Sequence, residues 1–384
     1  AHGDVTLTGP VLLSENVIID TDSSGNDGDV IMTSTVRSSA NNGAKTLTIK
    51  SGGGPVNIGG TIGGTDLRHL GALTINSIDG SGNVGTIEVA DIGVSNTNGG
   101  VDGNVIIGNA NTGTITFDGA LYSIGGTGNL TVQSASGENI KFTKGDATVE
   151  IKTTGSNSGS VTFEDGSIQL ANGTPLTINT LGGAVDIHSV YAVANADEDL
   201  TINVNHAGDA TDTDAENTET IKIGAIGSGD EIGAVTLTGA DGITLTGNIE
   251  LSNVDGSDLD INGKVFISGD VTIDTDNDAN DGTINFSSTI DGVTESGGAV
   301  ADNLRILAGD SGSSGGSLTI TGNIGDTLAL TTLKINDGAG NGDITFTVPQ
   351  VGGGGAIGVT GVVTLGNTGS GDIVFSGAGC LLYT

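Results

Sequence analysis

Val17-Ile18-Ile19-Asp20-Thr21-Asp22, running on to Asn26-Asp27-Gly28 and Ser34-Thr35-Val36, returns in the second half of the chain. There it reads Val271-Thr272-Ile273-Asp274-Thr275-Asp276, then Asn280-Asp281-Gly282 and Ser288-Thr289-Ile290, at a constant offset of 254 residues. Both copies continue alike. Ile58-Gly59-Gly60-Thr61-Ile62-Gly63-Gly64 answers to Ile320-Thr321-Gly322-Asn323-Ile324-Gly325-Asp326, and Leu73-Thr74-Ile75-Asn76 to Leu333-Lys334-Ile335-Asn336. A unit over residues 17–80 is therefore repeated over 271–338, and each copy is long enough to hold several strands.

The smaller period inside each copy fixes the element type. Val5-Thr6-Leu7-Thr8, Leu47-Thr48-Ile49-Lys50, Ile115-Thr116-Phe117-Asp118, Val235-Thr236-Leu237 and Leu318-Thr319-Ile320 alternate apolar and polar residues. This alternation sends the apolar pair to one face and the strand-favouring threonine to the other. Such segments recur every 10–14 residues or so, between clusters of Gly, Asn, Asp and Ser. Helical periodicity is absent and glycine interrupts every run, so no significant helix is expected.

Composition narrows the architecture. Glycine supplies 69 of 384 residues, yet proline supplies only 4 and there is no Gly-X-Y period, which excludes collagen. Hydrophobic residues reach 35% with a mean hydropathy of +0.08, in too regular an order for disorder. Aromatics are 3% and tryptophan is absent, which suits a thin core of branched aliphatics. The expectation is an all-β β-solenoid, a right-handed parallel β-helix of many short strands forming one continuous rod over 1–384. Tandem β-sandwich domains are the alternative. Rungs of roughly 20–25 residues at about 4.8 Å spacing give a rod of about 75–90 Å. The acidic segments 197–219 and 291–302 are expected to leave it as loop insertions.

The phrase from Gly54-Pro55-Val56-Asn57-Ile58 through Gly59-Gly60-Thr61-Ile62-Gly63-Gly64-Thr65-Asp66-Leu67 to Leu70-Gly71-Ala72-Leu73-Thr74-Ile75 resembles the filamentous-haemagglutinin-like, β-strand-repeat surface proteins of bacteria. That resemblance implies a right-handed parallel β-helix of the kind carried by secreted adhesins and fibres.

Charge points to the compartment and the partners. With 46 acidic against 11 basic residues the net charge is −35, a field that repels nucleic acid and attracts cations, calcium foremost outside a cell. No apolar run is long enough for a membrane helix, so no membrane insertion is expected. The single cysteine, Cys380, allows no internal disulfide. The start at Ala1-His2-Gly3-Asp4 reads like a mature secreted product whose signal peptide has been removed, hence extracellular or cell-surface.

Candidate sites follow from these patterns. Asp20, Asp22, Asp27 and Asp29, with Asp274, Asp276, Asp278 and Asp281 in the second copy, form two acidic turns able to present oxygens to calcium. The second opens like an EF-hand loop but is not one, because Ala279 stands where that loop needs glycine and Asn285 where it needs the bidentate glutamate. The run Asp209, Asp212, Asp214, Glu216 and Glu219 reads as a solvated loop. Open solenoid ends need caps, and none is evident, so Val5, Leu7, Cys380, Leu381, Leu382 and Tyr383 are candidate contacts for head-to-tail self-assembly. His2, His69, His188 and His206 show no metal-ligand spacing and are read as surface or loop residues. With tryptophan absent and bases scattered, an enzyme acting on acidic sugars is disfavoured. The expected role is a non-catalytic extracellular subunit of a filament, sheath or surface layer. The alternative is a secreted adhesin that binds a host or glycan partner without polymerising.

Overall fold

The computed structural model describes residues 3–23, 27–39, 43, 45–64, 68–76, 85–94, 100–154, 159–193, 198–204, 219–228, 230–252, 257–275, 282–293, 302–309, 316–338, 342–347, 350–351, 358–368, 370–376 and 381–382. Among the described residues the elements are short β-strands, and their registered pairings are all parallel. Parallel pairing between segments one turn apart makes this a β-solenoid and excludes the sandwich alternative, whose sheets are antiparallel. Two compact units are present: Ala1–Ser189 with Val204–Thr213, and Val190–Asn203 with Asp214–Thr384.

In the first unit each turn visits three faces. The opening turn is Val5–Leu7, Val11–Leu13 and Val17–Asp20. Along the first face the strands stack in register from Val5↔Val30 through Val30↔Val56, Val56↔Ile87, Ile87↔Ile115 and Ile115↔Ile140 to Ile140↔Ile168. The companion ladder is Met32, Ile58, Val89, Phe117, Phe142 and Leu170. All these inward side chains beyond the first turn are at most 1% exposed. Like sits on like, so one rule, an apolar residue at every second position, builds the core. In the second unit the same logic gives Val235↔Leu259↔Ile284↔Leu318↔Ile344↔Ile373 on one face and Val271↔Leu304↔Leu333↔Val363 on another.

Turn length differs from the sequence expectation. Register steps range from Ile221↔Ile243, 22 residues, to Ile284↔Leu318, 34 residues. Excess residues leave at the corners and do not disturb the ladders. The segment 197–219 is not all loop, since Leu200–Val204 is a strand whose first N–H donates to Ala234 O. In 291–302, Asp291 lies within the strand Ile290–Gly292 and is 3% exposed, its Oδ1 accepting the Thr327 N–H.

Corners carry the glycine. A Cβ on Gly54 would stand 2.4 Å from the Gly28 carbonyl oxygen of the turn beside it, and one on Gly60 would stand 2.1 Å from the Ser34 carbonyl carbon. Only glycine lets backbones stack this closely. Gly322 repeats the Gly60 approach, 2.1 Å from the Ser288 carbonyl carbon.

Candidate functional site

The first acidic turn is held by its own side chains. Thr21, 9% exposed, donates its hydroxyl to Gly28 O at 2.6 Å. Asp27 accepts the Ser23 N–H on Oδ1 at 2.9 Å and the Gly53 N–H on Oδ2 at 2.7 Å. Asp29 N–H donates to Asp4 Oδ1, tying the turn to the first strand's approach. Both Asp27 oxygens are thus engaged with backbone, a turn-stabilising role. The second copy repeats the core of the arrangement, with the Thr275 hydroxyl donating to Gly282 O at 3.0 Å. Asp276, Asp278 and Asp281 lie outside the described residues, as do Asp209, Asp212, Asp214 and Glu216. Glu219 is described and buried, at 6% exposure. Among the described residues no three His, Cys, Asp or Glu side chains converge as a metal ion requires.

Asp274 does meet other carboxylates. Its strand stacks on Ile249–Glu250 in the register Glu250↔Asp274, which places two acids on adjacent turns. Burial raises the Glu250 carboxyl above its ordinary value, and Asp274 and Glu231 raise it further. A folded-state value above the unfolded 4.5 means the folded chain holds the proton more tightly, so this group costs stability at neutral pH. That cost is relieved as pH falls through the raised value toward 4.5. Thermal melts should therefore show the melting temperature rising between pH 7 and pH 5. Glu250→Gln should capture about 1–2 °C of that rise at pH 7 and flatten the dependence, after allowance for solvent screening.

Histidines separate into two environments. His188 is exposed, as expected, and His2 and His206 lie outside the described residues. His69 departs from the surface assignment: it is 5% exposed, with Nδ1 2.8 Å from Asp102 Oδ1. Nothing in the local sequence signals that partner, which the turn stacking brings from 33 residues away.

The ends of the ladders are where the core stops being covered. Val5 and Leu7 are half-buried, while the residues they stack on, Val30 and Met32, are 0% exposed. Leu12 (51%) and Ile18 (65%) of the first turn are exposed because they face outward, stacked on Arg37 and Thr48, and are not part of the inward ladders. At the other extreme, Ile344 and Phe346 are 0% exposed but their stacked partners Ile373 and Phe375 are 39% and 42% exposed. Phe375 lies flat against Phe346, centroids 4.9 Å apart at 7°, and no described ring covers its other face. Among the described residues, Val5–Leu7, Val17–Asp20, Val363–Leu365 and Ile373–Phe375 each pair along one edge only. Leu381–Leu382 pairs in parallel with Gln350–Val351 of the same chain. Cys380 and Tyr383 lie outside the described residues.

Comparison with protein-family models, with curated proteins and with solved structures found no match to this chain.

Proposed function

We propose that this protein is an extracellular structural subunit that assembles end to end into a filament, sheath or surface layer, without catalytic activity. What supports it is the stacking itself: each turn offers a parallel strand edge and an apolar ladder on which a like turn sits, as Val30–Met32 does on Val5–Leu7 and Ile373–Phe375 on Ile344–Phe346. Such an edge is a template for another strand, and a second copy supplies a matching parallel rung. The acidic surface opposes side-by-side contact, so association is directed to the ends and strengthened by cations that screen it. Calcium at the acidic turns belongs to this proposal, as do secretion and kinship with the haemagglutinin-like repeat proteins.

Negative-stain images and sedimentation of the purified protein, with and without calcium, test it. Expected are elongated assemblies growing with concentration, and their loss in Phe375→Asp. That variant should keep the parent's circular dichroism, because Phe375 is already 42% exposed. A monodisperse monomer at high concentration in calcium refutes self-assembly. Retention of assemblies by Phe375→Asp moves the contact elsewhere. Equal assembly in chelator removes calcium from the proposal.

A further inference from the structure

The bases that look scattered in sequence are not all scattered in space. Strands Asp270–Asp274, Asn303–Leu307 and Thr332–Ile335 stack in the register Thr272↔Arg305↔Lys334, which puts a guanidinium and an ammonium on adjacent turns of one outer face. Two residues back along the same strands runs a second outward row, Asp270↔Asn303↔Thr332. Between the rows lies a shallow groove of about 360 Å³.

Both rails are organised before any ligand arrives. Asn303 Nδ2 donates to Asp270 Oδ1 at 2.5 Å, and the Thr332 hydroxyl donates to Asn303 Oδ1 at 2.7 Å. Across the groove Arg305 Nε donates to Asp337 Oδ1 at 2.7 Å, and Lys334 Nζ stands 3.6 Å from Asp337 Oδ2. Burial alone would raise the Asp337 carboxyl, but Arg305 and then Lys334 outweigh it and hold the group below its ordinary value, ionised. The Arg305 contact with Asp337 is made through Nε, and the side chain is 39% exposed, so its terminal nitrogens keep donor capacity. Against the carboxylates of Asp337 and Asp270 the two cations leave the groove close to neutral, a local exception on a chain whose net charge is −35.

We infer that this groove binds an oligosaccharide carrying a sugar carboxylate. Arg305 and Lys334 would take the carboxylate, the guanidinium in a two-pronged fashion. The amide, hydroxyl and carboxylate row opposite would take ring hydroxyls, both as donor and as acceptor. The spacing between adjacent turns, about 4.8 Å, is comparable to the length of one pyranose ring, so the three turns of the groove suit a short stretch of sugars. The balanced groove admits a lone carboxylate, while the field of the whole chain opposes a polyanion. This inference stands apart from end-to-end assembly, because the groove lies on an outer face and not on the terminal ladders.

Calorimetric titration at low ionic strength with a trisaccharide carrying one galacturonate residue and with its carboxyl-reduced counterpart tests it. The acid should bind and the reduced sugar should bind about tenfold more weakly or not at all. Arg305→Gln should lower affinity for the acid about tenfold and Lys334→Gln less, both retaining the parent's melting profile. Should Arg305→Gln unfold, amide shifts of Asn303 and Lys334 in the unaltered protein report the site instead. The inference is overturned if neither sugar binds or if both bind equally. It is equally overturned by undiminished binding in folded Arg305→Gln, by shifts elsewhere on the chain, or by an acidic peptide binding more tightly than the sugar.

Discussion

Replacing Asn336 by alanine should cost about 3–4 kcal/mol and lower the melting temperature by some 10 °C. Asn336 is 0% exposed and sits at φ 49°, the left-handed region that asparagine tolerates far better than alanine. Its Oδ1 accepts the Ala308 N–H at 2.9 Å, and its Nδ2 donates to Ala308 O at 3.1 Å and Gly342 O at 3.3 Å. Its own N–H donates to Ile306 O, and its carbonyl accepts Asn367 Nδ2 from the neighbouring turn. Alanine would orphan the Ala308 N–H and take a donor from the Gly342 carbonyl, while Ala308 O keeps the Gly342 N–H, and it would add backbone strain. Asn336→Gly should lose less, by about 1 kcal/mol, since it removes the side-chain bonds but not the left-handed geometry. Chemical denaturation of the two variants separates those contributions, and hydrogen exchange at the Ala308 amide should accelerate in both. Equal stability of Asn336→Ala and the parent would show that this corner carries no structural weight.

The same corner exists in the first unit. Asn76, φ 48°, accepts the Ser51 N–H at 2.8 Å and donates Nδ2 to the Ser51 hydroxyl at 2.9 Å. Its carbonyl accepts Asn109 Nδ2, as that of Asn336 accepts Asn367. Asn109 N–H is taken by Thr112 Oγ1 and Asn367 N–H by Ser370 Oγ. Together with the Thr21–Gly28 and Thr275–Gly282 bonds, this gives the two repeated segments corresponding bonds at two corners.

How much was legible in the sequence follows from what kind of information each feature needs. Strand positions and inward faces came from period-two alternation, a local property; Leu47–Ile49, Ile115–Phe117, Val235–Leu237 and Leu318–Ile320 all lie where it places them. The parallel solenoid came from repetition, because only stacking turns bury so many short strands with so few aromatics. Asn76 and Asn336 were quoted as the last residues of strands, yet they are the corners that terminate them. Nothing in Leu-Thr-Ile-Asn distinguishes an outward asparagine from one turned into a left-handed corner. That difference depends on a backbone N–H about 25 residues away, at Ser51 or Ala308. The pairings His69–Asp102 and Arg305–Lys334 were invisible for the same reason: register sets them, and turn lengths of 22 to 34 residues vary too much to be counted in advance. The acidic turns illustrate the converse. Their composition suggested a cation, and the fold adds what composition could not show, that Asp27 also accepts two backbone N–H groups.

Phe142→Ala should be the most damaging single change in the first unit, at about 4–5 kcal/mol. Phe142 is 0% exposed and stacks on Phe117 at 5.0 Å and 12°. It meets Tyr122 edge-on at 6.3 Å and Phe163 at 6.2 Å, so three of its neighbours are rings. Loss of the ring leaves a void that rigid strands on three faces cannot close, and cavity cost adds to lost transfer energy. Tyr122 is anchored in turn: its hydroxyl donates to Val89 O at 3.2 Å and accepts the Gly119 N–H at 2.8 Å. Burial, with Asp118 and Asp91 adding to it, lifts that phenol far above its ordinary range, so it stays a neutral donor at any working pH. Phe142→Leu fills most of the space and should cost only about 1–1.5 kcal/mol. Phe375→Ala, a stacked phenylalanine that is 42% exposed, should cost less than about 1 kcal/mol in the monomer. With no tryptophan and three tyrosines in the chain, near-ultraviolet dichroism reads Tyr122 with little interference. Its signal should collapse in Phe142→Ala and persist in Phe375→Ala. Because each turn contacts only its neighbours, hydrogen exchange should accelerate first at Phe117 and Phe163. Equal costs for the buried and the exposed phenylalanine would mean that ring stacking, and not burial, sets the stability of these ladders.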